Sequence, residues 1–397
     1  MSVSATFLQG LQANLGYWQR ATAQLASAPL DQLGREQLSI IQAVRWGLRV
    51  PETRQTAVSL ALQASYFAER TGHWQDWMPV LAAIAAYIDD PHQLFQLYKR
   101  QGQLLRLNKQ LDKALAIHQE AEALALQLND QTMRAEVYIN LSDDLRLCRQ
   151  YKEAEQYGCR ALELLKEGEG SSRLQSIVLL TLGLISHANH HLEEAEQRLR
   201  QAETVQRVLA DDPVHLARIF NVMAIVLQEQ DKFEMASDYC RRALDALAPT
   251  ASELDKSKTF HSLGTLYIRL EQYGKAEEAF RQADSEVLHR SGDLLTQAAL
   301  AQNRGTALMK LKRFNEAHLY LRRSQKLWQQ LGDQLWLANT LSTLADLFDE
   351  QGHWQSAVAY IDEAISLVAL FPENERAQRW QAQYVTRRQE IMEKLSK

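Results

Sequence analysis

The chain of 397 residues has only 3 cysteines, 7 prolines and 16 glycines. Cys148, Cys159 and Cys240 are an odd number in no metal-ligand spacing, which argues against a disulfide framework or a zinc site and for a reducing compartment. So few glycines and prolines cannot supply the many turns of an all-β protein, and helix becomes the expected state. Neither sign of charge dominates. Lys and Arg number 44 against 49 Asp and Glu, a net charge of −5, without the basic stripe of a general nucleic-acid binder. The longest apolar stretch, Val80 to Ile88, is far shorter than the ~20 residues of a membrane span. The first ten residues lack the charged start and apolar core of a signal peptide. The expectation is a cytoplasmic protein with no nucleic-acid and no membrane partner.

Catalytic signatures are missing as well: there is no Gly-rich phosphate loop, no Gly-x-Ser-x-Gly and no His-Glu-x-x-His. An enzyme, a cofactor and a metal are therefore not expected. His187, His190 and His191 form the one dense histidine group, but they fall on a polar turn between helices. Asp143 and Asp144 are neighbours on a helix and point about 100° apart, so they cannot share one proton. The three cysteines read as buried structural thiols.

What the chain has is a repeat. Ala114, Ala154, Ala195, Ala236, Ala276, Ala317 and Ala357 recur at intervals of 40 or 41 residues. Three residues before each stands a large apolar residue, from Leu111 to Trp354, and seven after stands Ala121, Ala161, Ala202, Ala243, Ala283, Ser324 or Ala364. Twelve residues before each, a further small residue recurs: Gly102, Ser142, Gly183, Ala224, Gly264, Gly305 and Ala345. Small residues at these places let two helices approach closely, and the short polar turns between them force the helices antiparallel. Linkers rich in Asp, Ser and Gly, among them GEGSSR, ADDPVH and APTASELD, supply helix caps. Each pair leaves a face that the next pair must cover. The expected fold is all-α: an α-solenoid, a right-handed superhelix of stacked antiparallel helix pairs.

The unit His261 to Asp284 resembles the tetratricopeptide repeat, with Leu263, Gly264, Tyr267, Ala276, Phe280 and Ala283 at the family's positions. Its long period is similar to the variants of bacterial signalling regulators and kinesin light chains. A divergent eighth unit carries Ser65 and Trp74, with Trp77 and Ile84 where the small residues should be. Three segments are expected: an N-terminal helical segment at 1–55, ended near Pro51; the array at 56–370; and a C-terminal capping helix at 371–397, with Trp380 and Tyr384 on one face.

The resemblance implies a non-enzymatic scaffold or adaptor that binds a protein or extended peptide in the groove lined by the first helices. The groove positions it implies include Lys99, Arg106, Asn140, Arg146, Arg218, Asn221, Lys258, Arg269, Asn303 and Asn339. The basic residues suit an acidic segment, and the asparagines can pair with a peptide main chain. The same positions are apolar in one unit, at Ile177, Leu180 and Leu184, and acidic in the last, at Asp346, Asp349 and Glu350. Two alternatives are a bacterial peptide-sensing regulator of the Rap type, in which residues 1 to 50 act on a partner, and an accessory subunit of a signalling or transcriptional complex. The ligand, the oligomeric state and the superhelical pitch stay open.

Overall fold

Each repeat becomes two helices because it carries its own start and stop signals. Five of the first helices begin on an aspartate whose carboxylate accepts from a backbone N–H of the opening turn: Asp90 from His92, Asp130 from Met133, Asp212 from His215, Asp293 from Thr296 and Asp333 from Trp336. They end at a left-handed residue five positions before the recurring alanine. These are Lys109, Arg149, His190, Asp231, Glu271 and Lys312, with φ of 56–62°, and Gly352, with φ of 76°. The next amide then donates to a carbonyl five residues back, as Gln110 does to Leu105 and Arg313 to Leu308, both at 2.9 Å. This closure satisfies a terminal carbonyl and turns the chain directly into the second helix. Only one of the seven positions is glycine, so the turn is enforced by packing on both sides against a local strain.

The computed structural model describes residues 4–23, 30–71, 74–167, 172–210, 212–250 and 252–396. The start of the chain at 1–3, positions 168–171 of the GEGSSR linker, 211 of ADDPVH and 251 of APTASELD lie outside the described residues. Contacts group the chain into two compact units, Met1–Asp255 and Lys256–Lys397. The first contains α1 (Ala5–Ala23), α2 (Leu30–Arg49), α3 (Arg54–Thr71), α4 (Trp74–Ile84), α5 (Pro91–Leu107), α6 (Leu111–Gln127), α7 (Gln131–Leu147), α8 (Tyr151–Glu167), α9 (Ser172–Ala188), α10 (Leu192–Leu209), α11 (Pro213–Glu229) and α12 (Phe233–Leu247). The second contains most of α13 (Glu253–Arg269), then α14 (Tyr273–Ala283), α15 (Glu286–Arg290), α16 (Leu294–Lys310), α17 (Phe314–Leu331), α18 (Gln334–Glu350), α19 (Trp354–Val368) and α20 (Glu375–Leu395). No strand occurs among the described residues, and no helix among them is long and apolar enough to cross a membrane.

Within each unit the packing follows the solenoid pattern: α7 pairs with α8, α8 packs on α9, and α7 also touches α9, with the same relations at α9 to α11 and at α16 to α18. The seven recurring alanines are fully buried. The mid-helix glycines are close-approach sites, because a Cβ on Gly264 would lie 2.5 Å from the Phe280 ring and one on Gly305 2.7 Å from Leu321. The divergent early unit forms the pair α3 and α4, with Trp77 and Ile84 filling the space that small residues leave elsewhere.

Two features differ from the sequence reading. Cys148 caps α7 and Cys159 lies on α8, both half-buried, and only Cys240 is fully buried, its thiol pushed up to about 12 by that burial. The second helix of the fifth regular unit breaks at Asp284, and Ser285 starts the short α15, its Oγ 2.5 Å from Ser257 Oγ. At the end of the array, α20 packs against α19 and α18 in the way that a first helix packs on the preceding pair. Ala377, Tyr384 and Ile391 form its buried stripe.

Candidate functional site

First helices lie side by side one repeat apart, so residues separated by about one period face each other, and those three or four apart share a face. In the first unit this produces a polar ladder. Lys99 Nζ on α5 lies 2.5 Å from Glu136 Oε2 on α7. Arg106 donates to Asp143, lies 3.4 Å from Asp144 Oδ1, and donates to Asn140 Oδ1 at 3.0 Å. Arg146 donates to Asp143 from the other side at 2.6 Å. Burial pushes the Asp143 carboxyl up, but the Arg106 and Arg146 guanidiniums overcome it and hold it below the usual carboxylate range. Between α9 and α11 the rungs are Arg173–Asp212 at 2.9 Å, Ser176–His215 at 3.0 Å and His187–Glu229 at 2.9 Å. Arg218 Nε lies 3.6 Å from Asp255 Oδ1.

The second unit repeats the arrangement with fewer charges. Lys258 Nζ is 3.5 Å from Asp293 Oδ2, and Lys310 Nζ is 3.6 Å from Glu350 Oε1. Asn303 Nδ2 donates to His261 Nε2 at 3.1 Å and to Thr265 Oγ1 at 3.3 Å, and Thr340 donates to Gln302 at 2.8 Å. Burial lowers His261 to about 4, so its ring is neutral at neutral pH, and the tautomer with Nε2 unprotonated is the one that can accept from the Asn303 amide. Asp349, with Asp346 beside it, receives Arg387 and Lys394 from α20.

The predicted groove residues therefore reach the first-helix faces in a different chemical state from the one expected. Lys99, Arg106, Arg146, Arg218 and Lys258 each face a carboxylate rather than standing as a bare cationic cluster. Arg269 is exposed near the end of α13. Asn140 is buried, its carbonyl taken by Arg106 and its amide donating to Glu136 O at 3.1 Å. Asn221 and Asn339 are half-buried. Asn303 spends its amide hydrogens on His261 and Thr265, which leaves Oδ1 to accept. Sequence reasoning missed the partners Asp212, Asp255 and Asp293 because they sit at helix starts outside the groove positions. A carboxylate about one period from each cation was the available signal.

The histidine group is not gathered into a site. His190 is the left-handed turn residue, His187 pairs with Glu229, and His191 Nδ1 lies 3.6 Å from Glu194. Among the described residues no group of three His, Cys, Asp or Glu side chains could hold a metal.

One step of the ladder is apolar. The position just after the mid-helix small residue is Gln103, Asp143, Thr265, Thr306 or Asp346 in five repeats but Leu184 on α9 and Ile225 on α11. The α9–α11 bonds join residues 39 to 42 apart, which puts Leu184 and Ile225 at one level. Ile225 is 40% exposed.

The tetratricopeptide repeat model matches residues 215–283 and 296–368. Human tetratricopeptide repeat protein 29 is 28% identical over 199 residues, covering 47% of this chain and 40% of the human protein. The chain thus spans about two fifths of the length of the curated relatives it matches. Among solved structures, a Rap protein complexed with competence and sporulation factor superposes with a TM-score of 0.59 at 14% identity, over 95% of this chain and 99% of that one. Aspartyl phosphate phosphatase F from Bacillus subtilis does so with 0.54 at 13%, over 95% and 97%. At such identities these two structures show a common fold alone. The helix pairs, the buried small residues at three registers and the match of the model agree: residues 215–283 and 296–368 are tetratricopeptide repeats.

Proposed function

We propose that the chain is a non-catalytic scaffold that binds a protein or peptide segment on the first-helix faces of its repeats. The ladder is the observation that carries this reading. Polar side chains there are already held by bonds from one first helix to the next, for example Asn303 to His261 and Arg106 to Asn140, so a ligand meets groups that lose little freedom on binding. Acceptor capacity left at Asn303 and the half-buried Asn339 suits a main chain that must replace its water bonds. Residues 56–370 then serve as the binding array, residues 1–55 as a separate helical segment and 371–397 as a cap. Free thiols at all three cysteines suit a reducing, cytoplasmic setting.

A second reading, a peptide-sensing regulator of the Rap type, draws on one observation: the likeness of fold to the Rap protein runs over 95% of the chain. In that reading residues 1–55 act on a second partner.

The test is site-specific photo-crosslinking in cell extract. A crosslinker at Asn339, on a first helix, should trap a defined partner protein, whereas one at the exposed Glu278 on α14 should not. Equal trapping from both positions, or none from Asn339, would reject the first-helix faces as the binding surface.

A further inference from the structure

Resting on that reading of the first-helix faces, we infer that the face of the first unit takes a segment without net charge, seating an apolar side chain over Leu184 and Ile225. Charge balance is the first argument. The cations flanking this level, Arg146 and Arg218, face Asp143 and Asp255, and His187 faces Glu229. An acidic segment would have to draw a guanidinium from its carboxylate, and a basic one would do the reverse. Either exchanges one ion pair for another and adds dehydration, so net charge supplies specificity against charged segments rather than attraction.

Apolar exposure is the second argument. Five repeats place a polar or charged residue at this position, while α9 and α11 alone place Leu184 and Ile225 there, at the same level of adjacent helices. Leu180, one turn back on the same face of α9, is a further apolar residue and is buried. A large β-branched side chain 40% exposed on an otherwise polar face is stabilised by a partner that removes it from water. The occupant that fits is an uncharged extended segment with a Leu, Ile, Val or Phe at its centre, its main chain held by polar groups on either side.

The experiment selects a displayed random-peptide library on the full chain and then titrates the enriched peptides, as synthetic probes, at about 0.05 and 0.5 M salt. Expected are uncharged sequences with a central apolar residue, whose Kd changes by less than about threefold with salt. Ile225→Asp should weaken them by about tenfold or more, and Val208→Asp, at a residue 84% exposed on α10, should not. Thermal melts of both variants matching the parent confirm that folding is intact. Enrichment of acidic or basic peptides with a steep salt dependence would overturn the inference while leaving first-helix binding in place. Uncharged peptides indifferent to Ile225→Asp, or self-association of the chain abolished by it, would overturn it too, the latter by assigning the patch to a second copy. No enrichment at all would instead sink the underlying reading of a segment-binding face, and this inference with it.

Discussion

Arg387 Nη2 on α20 lies 2.8 Å from Asp349 Oδ2 on α18, and the Asp349 side chain is only 2% exposed. Lys394 Nζ approaches the same oxygen at 2.6 Å, and Arg387 Nε reaches Asp346 at 2.7 Å. The acidic face of the last repeat is thus covered by the cations of α20, which stands where the first helix of a further repeat would stand. Covering that face also stacks Trp336 edge-on against Trp380, 5.5 Å between centroids.

Arg387→Leu leaves a buried carboxylate with one cation in place of two. It should destabilise the second unit by about 1–3 kcal/mol, the lower end reflecting the partial exposure of Arg387. Denaturant unfolding measures the cost, and hydrogen exchange in α20 should quicken. Removal of residues 375–397 should go further, uncovering Trp336 and its neighbours and producing concentration-dependent self-association in light scattering. A truncated chain that stays monomeric would make α20 a dispensable tail.

The same substitution should have opposite signs at two glycines ten residues apart. Gly264→Ala pushes a Cβ into the Phe280 ring and should cost about 1–3 kcal/mol, whereas Gly274→Ala meets open space at an exposed helix position and should stabilise by about 0.5–1 kcal/mol. Ala276→Leu and Ala236→Leu, at fully buried contacts, should also cost about 1–3 kcal/mol. Thermal melts of the four variants decide, and uniform behaviour would refute the packing register.

Turn strain offers a second pair. Lys312 holds φ of 59° and Gly352 φ of 76° at equivalent positions. Lys312→Gly should be neutral to stabilising by up to about 1 kcal/mol, and Gly352→Ala should lose about 1 kcal/mol. Melting temperatures moving in the reverse order would show that these turns are not strained.

Acid sensitivity should begin near neutrality. Burial lowers His215 and His261 to about 4, against the opposing pull of Asp212 and Asp293. The unfolded chain therefore takes up these protons more readily than the folded one, so stability is complete above about 6.5 and declines as the pH falls from there towards 4. Relative to its own value at pH 7, the protein should lose about 1–2 kcal/mol per histidine by pH 5, and His261→Gln should lose correspondingly less. Parallel pH profiles of parent and variant would disprove the assignment.

Helix pairing and packing register were legible because close helix contact demands small residues, and that demand prints alanine or glycine at fixed intervals. The caps were partly legible: the aspartates opening first helices follow from their chemistry, but left-handed Lys109, Arg149 and Glu271 do not, because nothing local favours that conformation in them. The break at Asp284 was invisible for the same reason, being held by Ser257 and by Gln297 donating to Leu288 O at 2.9 Å.

First-helix positions were readable one repeat at a time, and the pairing of their side chains was not. Whether Arg106 or Arg218 is available to a ligand depends on which carboxylate the next helix sets beside it. That is decided by the stagger between stacked helices, a property of packing between repeats rather than of any one of them. Sequence alone determined that these helices must stack and which face each turns inward; only the tertiary structure decided which charges neutralise one another and which side chains, such as Ile225, stay open to solvent.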